Sequence, residues 1–419
     1  MNINLGEQIE TQLPAELVHF MQLAGEVTAR QGNSLYLVGG VVRDLLLGKP
    51  TFDLDLVVEG DAIELARQLA QMKQAKVVTH GHFNTANLQW GEWSVDLATA
   101  RSETYARPGA LPEVKPSSIK NDLFRRDFTV NAMAVHLSPG RYGELIDLYG
   151  GREDLEHRLI RILHEKSFSD DATRIWRALR YEQRLDFELE ATTLELLQRD
   201  IDMLDTISAD RIRHELELVL KETHPEKALR RAGELGVLHK LHPALEGNGW
   251  LAEKIEQARR LSLPRSPSVG LYLSLFAHQL AGEQVEQLIV SLKSPKLQAQ
   301  TLRDTINLKN KLRPLANPEL KRSSVYRLLH SYSVPAITAN LIASDSPIAE
   351  QHIRLFLNRL RYIKPALSGD DLKRLGIAPG LQMKVVLDRL HEARLDGKVT
   401  TKRGEEEMVR GWVANHIQS

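Results

Sequence analysis

Two carboxylates two residues apart stand shortly after a glycine pair and an arginine: Leu37-Val38-Gly39-Gly40-Val41-Val42-Arg43-Asp44 precedes Phe52-Asp53-Leu54-Asp55-Leu56-Val57-Val58. On a strand, successive side chains alternate faces, so Asp53 and Asp55 share one face while Leu54 and Leu56 take the other. The first segment reads as a strand, a turn and a helix that stops near Gly48. Glycines at such a turn let backbone N–H groups approach a phosphate, the helix start favours anions, and Arg43 one turn in would add a cation. Carboxylates beside an anion site suit Mg2+, which is held through one or two carboxylates plus substrate phosphates. Two such ions activate an attacking hydroxyl and stabilise a leaving pyrophosphate. Each half alone has a plainer explanation. A glycine pair after a strand is common in α/β folds, and a D-x-D is often the solvated face of an edge strand. Together, at this spacing, they favour metal-dependent phosphate chemistry. A dinucleotide site is disfavoured because the turn lacks G-x-G-x-x-G.

Three further segments carry candidate groups. In Trp93-Ser94-Val95-Asp96-Leu97-Ala98, Asp96 sits amid apolar neighbours, which is costly unless the charge is paired or binds metal; it is a candidate third catalytic carboxylate or a hydrogen-bonded structural one. In Asp122-Leu123-Phe124-Arg125-Arg126-Asp127, paired arginines beside an aspartate could serve triphosphate and ribose hydroxyls; the plainer reading is a solvated helix start capped by Asp127. In Ser169-Asp170-Asp171-Ala172-Thr173-Arg174-Ile175-Trp176-Arg177-Ala178-Leu179-Arg180, Ser169 reads as the N-cap with acids in the first turn. Asp171 and Arg174, three apart, are neighbours on a helix surface. An acceptor beside a planar donor fork can hydrogen-bond a nucleobase edge, whereas an ordinary helix-start ion pair would look the same in sequence.

The elements that must position these groups change character along the chain. Strand signals crowd into the first third: Leu35–Val38, Phe52–Val58, Lys76–Val78, Asn87–Trp90, Trp93–Ala98 and Gly143–Leu148, with helical patterns at Pro14–Arg30, Val41–Leu47 and Ala62–Gln71. After about Leu159 the pattern is helical, as in Ala172–Leu185, Ala191–Leu204, Ala209–Lys221 and Pro225–Leu235. This predicts an α+β fold: an N-terminal head with a mixed sheet, followed by an all-α neck, body and tail. The divisions expected are 1–158 for the head, 159–245 for the neck, 246–345 for the body and 346–419 for the tail. Thr104–Lys120, with three prolines and one glycine, reads as a long loop able to act as a mobile flap.

Composition narrows the class. A chain of 419 residues exceeds one hydrophobic core. Its 55 basic residues balance 55 acidic ones, so an RNA surface must be a local patch. The absence of cysteine removes disulfides, thiolate nucleophiles and cysteine-based zinc sites. No apolar run approaches the roughly 20 residues that span a bilayer, and the start of the chain lacks the pattern of a secretory signal; a cytoplasmic protein with no membrane contact is expected. His80-Gly81-His82 lacks a nearby third ligand and reads as structural.

In this order, the segments resemble the class II tRNA nucleotidyltransferase and bacterial poly(A) polymerase family. The glycine–arginine turn with D-x-D resembles its first motif, and Arg125-Arg126-Asp127 its ribose-selecting motif. Ile146-Asp147-Leu148-Tyr149-Gly150-Gly151 with Asp154-Leu155 resembles the link to the neck. Asp170-Asp171-x-x-Arg174 resembles the amino-acid template, with Asp170 where a glutamate is usual. Asp210-Arg211-Ile212-Arg213-His214-Glu215-Leu216 resembles the last neck motif, and Leu367–Leu372, Pro379-Gly380 and Leu395-Asp396-Gly397 the bacterial tail. The resemblance implies that Asp53 and Asp55 bind the metals and that Asp96 is the third catalytic carboxylate. It implies that Gly40, Arg43, Arg126 and Asp127 meet the incoming nucleotide, and that Asp171 and Arg174 pair with the base of CTP or ATP, with Arg177 and Arg180 nearby.

Between Lys293 and Arg327 lies a basic run that includes Lys309, Lys311 and Arg313, against only Asp304 and Glu319. Such a run can follow a phosphate backbone, although basic helical faces are often merely solvated. The expectation is therefore an Mg2+-dependent enzyme acting on tRNA with CTP and ATP, adding CCA or part of it; no protein partner is implied. Alternatives are addition of A alone, of CC alone or of a poly(A) tail, and, in another class, a non-catalytic RNA-binding protein.

Overall fold

The computed structural model describes residues 3–49 and 51–417. They divide into two compact units, Met1–Lys240 and Leu241–Ser419.

Among the described residues of the first unit nine strands are laid down before residue 150: β1 Leu35–Val38, β2 Leu54–Val58, β3 Lys76–His80, β4 Thr85–Trp90, β5 Trp93–Thr99, β6 Arg101–Thr104, β7 Glu113–Pro116, β8 Met133–His136 and β9 Leu145–Asp147. Seven form one sheet in the order β3-β4-β5-β2-β1-β8-β9. Only β2 and β5 run parallel; the other neighbours are antiparallel, so the sheet is mixed. The central strands β1 and β8 are buried along their whole length, which is why they read as continuous apolar runs rather than alternating ones. In β2 only Asp55 breaks the burial. Beneath the strands, Tyr36, Val38, Val57, Ile119, Leu123 and Ala134 pack as one cluster and hold β1, β2 and β8 against the helix Ile119–Phe124.

β6 and β7 correct the reading of Thr104–Lys120 as irregular. They pair as an antiparallel hairpin from Arg101↔Pro116 to Thr104↔Glu113, and only the tip between them lacks regular structure. Proline at Pro116 is tolerated because it ends an edge strand. β8 also lay beyond the expected strands. Its residues follow the 3-10 turn Thr129–Asn131, and the apolar run Ala132–Val135 is buried on both faces.

From residue 151 the first unit is almost wholly helical, with Thr173–Leu185, Ala191–Arg199, Ala209–Leu220 and Pro225–Glu234 as its long helices. The predicted helix Ala191–Leu204 ends at Arg199 and passes into a 3-10 stretch, Ile201–Thr206.

The second unit is helical throughout its described residues. One core joins Leu308, Leu329, Ile337, Ile353, Phe356 and Leu360; another, nearer the end, joins Leu367, Leu372, Val386, Leu390 and Val409. No helix among the described residues is long and apolar enough to cross a membrane.

Candidate active site

A cleft of about 820 Å3 opens on the sheet of the first unit, floored by β1, β2 and β5. The chain reaches it through Gly39, whose φ of +78° is a conformation side-chain-bearing residues rarely adopt. A Cβ there would stand 2.9 Å from Arg126 Nη1 and 3.7 Å from Asp55 Oδ2. Glycine thus lets the turn, an arginine and a carboxylate crowd together. Gly40 follows as the first residue of the helix Gly40–Leu46 and also lines the cleft.

Asp55 on β2 is directly opposite Asp96 on the parallel strand β5. Both are open to the cleft. Asn87, opposite Asp96 on β4, donates its Nδ2 to Asp96 Oδ1 at 2.8 Å and fixes that carboxylate. Asp96 is therefore not amid apolar neighbours: its flanking valine and leucine point the other way, as strand alternation demands. Asp55 is open to the cleft between the buried Leu54 and Leu56. Burial pushes its pKa up, Arg126 pulls it down, and Asp53 and Asp96 push it up again, to about 6. Asp53 stands one residue before β2, exposed; it does not line the cleft, but its charge acts on Asp55. Among the described residues no three His, Cys, Asp or Glu side chains already converge as a closed metal cage. Hard oxygen donors on adjacent strands, whose charges repel one another, fit a divalent cation that also takes ligands from a phosphate substrate.

The next wall is Arg125-Arg126-Asp127. The fully buried Asp122 holds both arginines, accepting from Arg125 Nη2 at 2.7 Å and Arg126 Nη2 at 3.0 Å. Burial alone would raise its pKa, but Arg126 and Arg125 outweigh it and hold it low. Arg126 Nε is buried and has no protein partner among the described residues, leaving a donor for a ligand. Asp127 caps no helix. It accepts from Phe128 N, Asn131 Nδ2 and, at 2.9 Å, Arg177 Nε. Burial opposes its charge, yet Arg177 and Asn131 bring its pKa down to about 2.

The helix Thr173–Leu185 supplies the far wall. Ser169 does not cap it; that serine lies within the short helix Ser167–Asp170, and Asp171 Oδ1 instead accepts from Thr173 N at 3.1 Å. Asp171 and Arg174 both line the cleft but are not paired with each other. Arg211 Nη2 donates to both oxygens of Asp171 at 2.8 Å. Arg174, buried, donates to Ser167 Oγ and to the Arg125 carbonyl, both at 2.7 Å. The plain helix-start ion pair is therefore absent, and two separately braced groups face one space.

Arg43 and Arg180 depart from expectation: neither lines the cleft. Arg43 is buried, held by Asp44 and, at 2.6 Å, by Asn131 Oδ1, so it braces the turn rather than offering a free cation. Arg180 is buried against Glu222. Both guanidinium groups, with that of Arg177, surround the Tyr181 ring at 4.9–5.7 Å.

Residues that spacing did not single out complete the cleft: Arg101, Glu103, Tyr105, Arg211, Tyr181 and Glu215. Glu103 accepts from Arg101, Arg125 and Tyr105, so the hairpin β6–β7 is tied to the arginine wall. Burial raises the pKa of Glu215. His80 lies exposed at the end of β3, and the His82 side chain lies outside the described residues.

In the second unit the predicted RNA-binding trio is divided. Lys309 donates to the His278 carbonyl at 2.6 Å and is partly buried, whereas Lys311 and Arg313 are exposed.

Comparison with known proteins identifies the family. The Poly A polymerase head domain family matches residues 35–161, and the family described as a probable RNA and SrmB-binding site of polymerase A matches residues 186–247. The A-adding tRNA nucleotidyltransferase of Halalkalibacterium halodurans is 35% identical over 99% of this chain and 97% of its own length. That of Geobacter sulfurreducens is 34% identical over 94% of this chain but only 47% of its own length; the chain thus spans about half the length of the first curated relatives it matches. The Thermotoga maritima CCA-adding enzyme, solved in complex with tRNA, is similar with a TM-score of 0.76 and 31% identity, covering 99% of this chain and 100% of that one.

Proposed function

Because this chain belongs to the tRNA nucleotidyltransferase family with a poly(A) polymerase head domain, we propose that it extends the 3′ end of tRNA with CTP and ATP, adding CCA. The observation that carries the reading is the pairing of Asp55 with Asp96 on the cleft floor, beside Arg126 and below Asp171 and Arg174. An acidic floor alone would repel a triphosphate, so the donor set calls for a divalent cation; Mg2+ is the ion we assign, held by Asp53 and Asp55 with Asp96 beside them. When bound, it supplies charge neutralisation at the reacting phosphate and lowers the barrier to deprotonating the attacking hydroxyl.

The chain's own residues do the rest. Arg126, with its free Nε, takes a phosphate or ribose oxygen, and Asp122 keeps the guanidinium from swinging away. Asp171 accepts from the exocyclic amino group of cytosine or adenine while Arg174 donates to the adjacent ring nitrogen. Arg211 and Ser167 hold those two groups in place. The terminal 3′ hydroxyl then gives up its proton to water, its oxygen forms a bond to the α-phosphorus as the bond from that phosphorus to the bridging oxygen breaks, and pyrophosphate leaves. Gly40 contributes closeness of approach at the turn; Arg43, Asp127, Arg177 and Arg180 act as braces. The head, neck, body and tail divide the work as catalysis, base choice and tRNA grip, in the cytoplasm where tRNA is matured.

Addition of A alone is a second reading, favoured by the A-adding relative that matches nearly end to end. Purified protein should be given tRNA ending before the CCA, or ending in C or CC, with labelled CTP or ATP and Mg2+. Extension of all three supports CCA addition, and extension of the CC end alone supports A addition. A long A ladder would mean poly(A) synthesis. Binding without incorporation would mean a non-catalytic RNA-binding protein.

A further inference from the structure

Three members of the basic run between Lys293 and Arg327 are held by the chain itself. Arg303 is gripped by both oxygens of Glu286 at 2.6–2.7 Å, Arg327 pairs with Glu392, and Lys309 is tied to the His278 carbonyl. Elsewhere in the second unit, arginines stand open. The turn after helix Gly249–Ser262, the starts of helices Val269–His278 and Val334–Ile342, and the end of helix Pro347–Asn358 enclose a groove of about 460 Å3.

Arg265, Arg354 and Arg361 line this groove with Ser266 and Thr338 over a base of leucine, valine and proline, and no aspartate or glutamate lines it. Among the described residues neither Arg265 nor Arg361 has a carboxylate partner. Arg354 lies 3.8 Å from Glu350, with both side chains exposed, a contact of little strength. Arg361 lies over the Tyr362 ring at 4.8 Å, and that ring is 64% exposed. Two helices also begin at the groove, and their first-turn N–H groups add partial positive charge.

We propose that this groove is a docking surface for the phosphodiester backbone of RNA, with the three arginines on phosphates and Tyr362 beside them for a ribose or base. The proposal rests on the reading of tRNA as substrate and deepens it. Planar guanidinium forks match phosphate oxygens in a two-point grip. An exposed aromatic next to arginine is also a feature of nucleic-acid surfaces, where a base stacks on the ring.

The test uses the full chain as wild type, as the triple variant Arg265→Ala/Arg354→Ala/Arg361→Ala, and as the triple exchange to Lys. Affinity for a tRNA lacking its CCA end is measured across a salt series, with nucleotide binding and thermal melting alongside. The alanine form should lose at least about tenfold in affinity, and its slope of log K against log salt should flatten by about 2. CTP and ATP binding should be unchanged, and the lysine form should keep most of the slope. If the alanine form melts early, Arg265→Glu on the exposed turn carries the same slope test. Wild-type affinity and slope in the alanine form overturn the groove alone, provided wild type incorporates nucleotides. Wild type that binds no tRNA overturns the substrate reading and the groove with it. Binding of polyglutamate, a stand-in for an acidic protein, is measured on the same forms; its loss in the alanine form with tRNA binding intact would reassign the groove to an acidic protein and overturn the RNA proposal.

Discussion

Asp55 and Asp96 face each other across the one parallel pair of strands in the sheet, β2 and β5, at the same register position. With Asp53 near, their charges push the Asp55 pKa, already raised by burial, to about 6. A raised carboxyl favours folding while it is protonated, and that contribution is lost as pH rises through about 6. Asp55→Asn should therefore melt higher than wild type at pH 8 in the presence of EDTA, with the gap closing by about pH 4. Added Mg2+ should raise the melting temperature of wild type and not of the variant. Nucleotide addition by Asp55→Asn or Asp96→Asn should fall by at least about a thousandfold, the loss expected when several kcal/mol of metal-assisted stabilisation vanish. Near-normal turnover in both variants would remove the metal assignment.

Asp127 and Arg177 make the opposite case, a carboxylate held charged in a buried place. The pKa of Asp127 is about 2 despite burial, because Arg177 and Asn131 hold its charged form. A depressed carboxyl stabilises the fold above its unfolded pKa, and the gain is lost as pH falls toward the folded value. Asp127→Asn should lower unfolding free energy by about 2 kcal/mol at pH 7, with the difference shrinking between about pH 4 and pH 2. Arg177→Ala should cost more, about 3–5 kcal/mol, since it leaves a buried charge without its counterion. Urea unfolding at several pH values measures both. A deficit that does not change with pH would mean that packing, not charge, holds the helix to the head.

Local periodicity made the head legible. The i, i+2 spacing of Asp53 and Asp55 and the apolar runs of β1, β2 and β5 identify strands and their cleft face from neighbours in sequence. What stayed hidden depends on contacts between distant segments. Arg43 reads as a free cation until Asn131, far along the chain, is seen to accept from it. Asp171 and Arg174 read as an ion pair because they are three apart, yet their partners are Arg211, Ser167 and the Arg125 carbonyl. The hairpin β6–β7 is irregular in sequence because its prolines blur the alternation, and only cross-strand pairing reveals it. Similarly, Arg303 and Arg327 of the basic run read as open until Glu286 and Glu392 are found beside them.

The tip of that hairpin is seated on the 3-10 stretch Ile201–Thr206. Gly109, at a φ of +72°, lies so close that a Cβ would stand 2.4 Å from the Thr206 carbonyl oxygen. Gly109→Val would strain the backbone and drive the tip off its seat. If the hairpin is the flap that adapts the cleft to adenine after cytosine, CTP incorporation should be largely spared while ATP incorporation drops about tenfold or more, a change of about 1.4 kcal/mol in barrier. Single-turnover assays on tRNA ending before and after CC separate the two steps. Equal loss of both would make the hairpin a structural loop.

Base choice gives the sharpest test of the braced pair. Cytosine and adenine both present an exocyclic amino donor beside a ring-nitrogen acceptor, whereas uracil and guanine present a carbonyl beside a ring N–H. A carboxylate and a guanidinium at fixed positions complement the first pattern and clash with the second. Arg174→Ala should therefore lose discrimination against UTP and GTP while Mg2+ still stabilises the fold. Arg211 touches Asp171 by two contacts of 2.8 Å, so Arg211→Ala should release that carboxylate and lose much of the same discrimination. A change of two-point recognition is worth about 1–3 kcal/mol per hydrogen bond to a charged group, or roughly tenfold to a hundredfold in selectivity. Incorporation of all four nucleotides at matched concentration by wild type and both variants measures it. Should Arg211→Ala keep wild-type selectivity while Arg174→Ala loses it, Asp171 is held by Thr173 alone and Arg211 serves the fold. Should both keep it, the nucleobase is read elsewhere in the cleft, and Glu215 and Tyr105 become the next residues to replace.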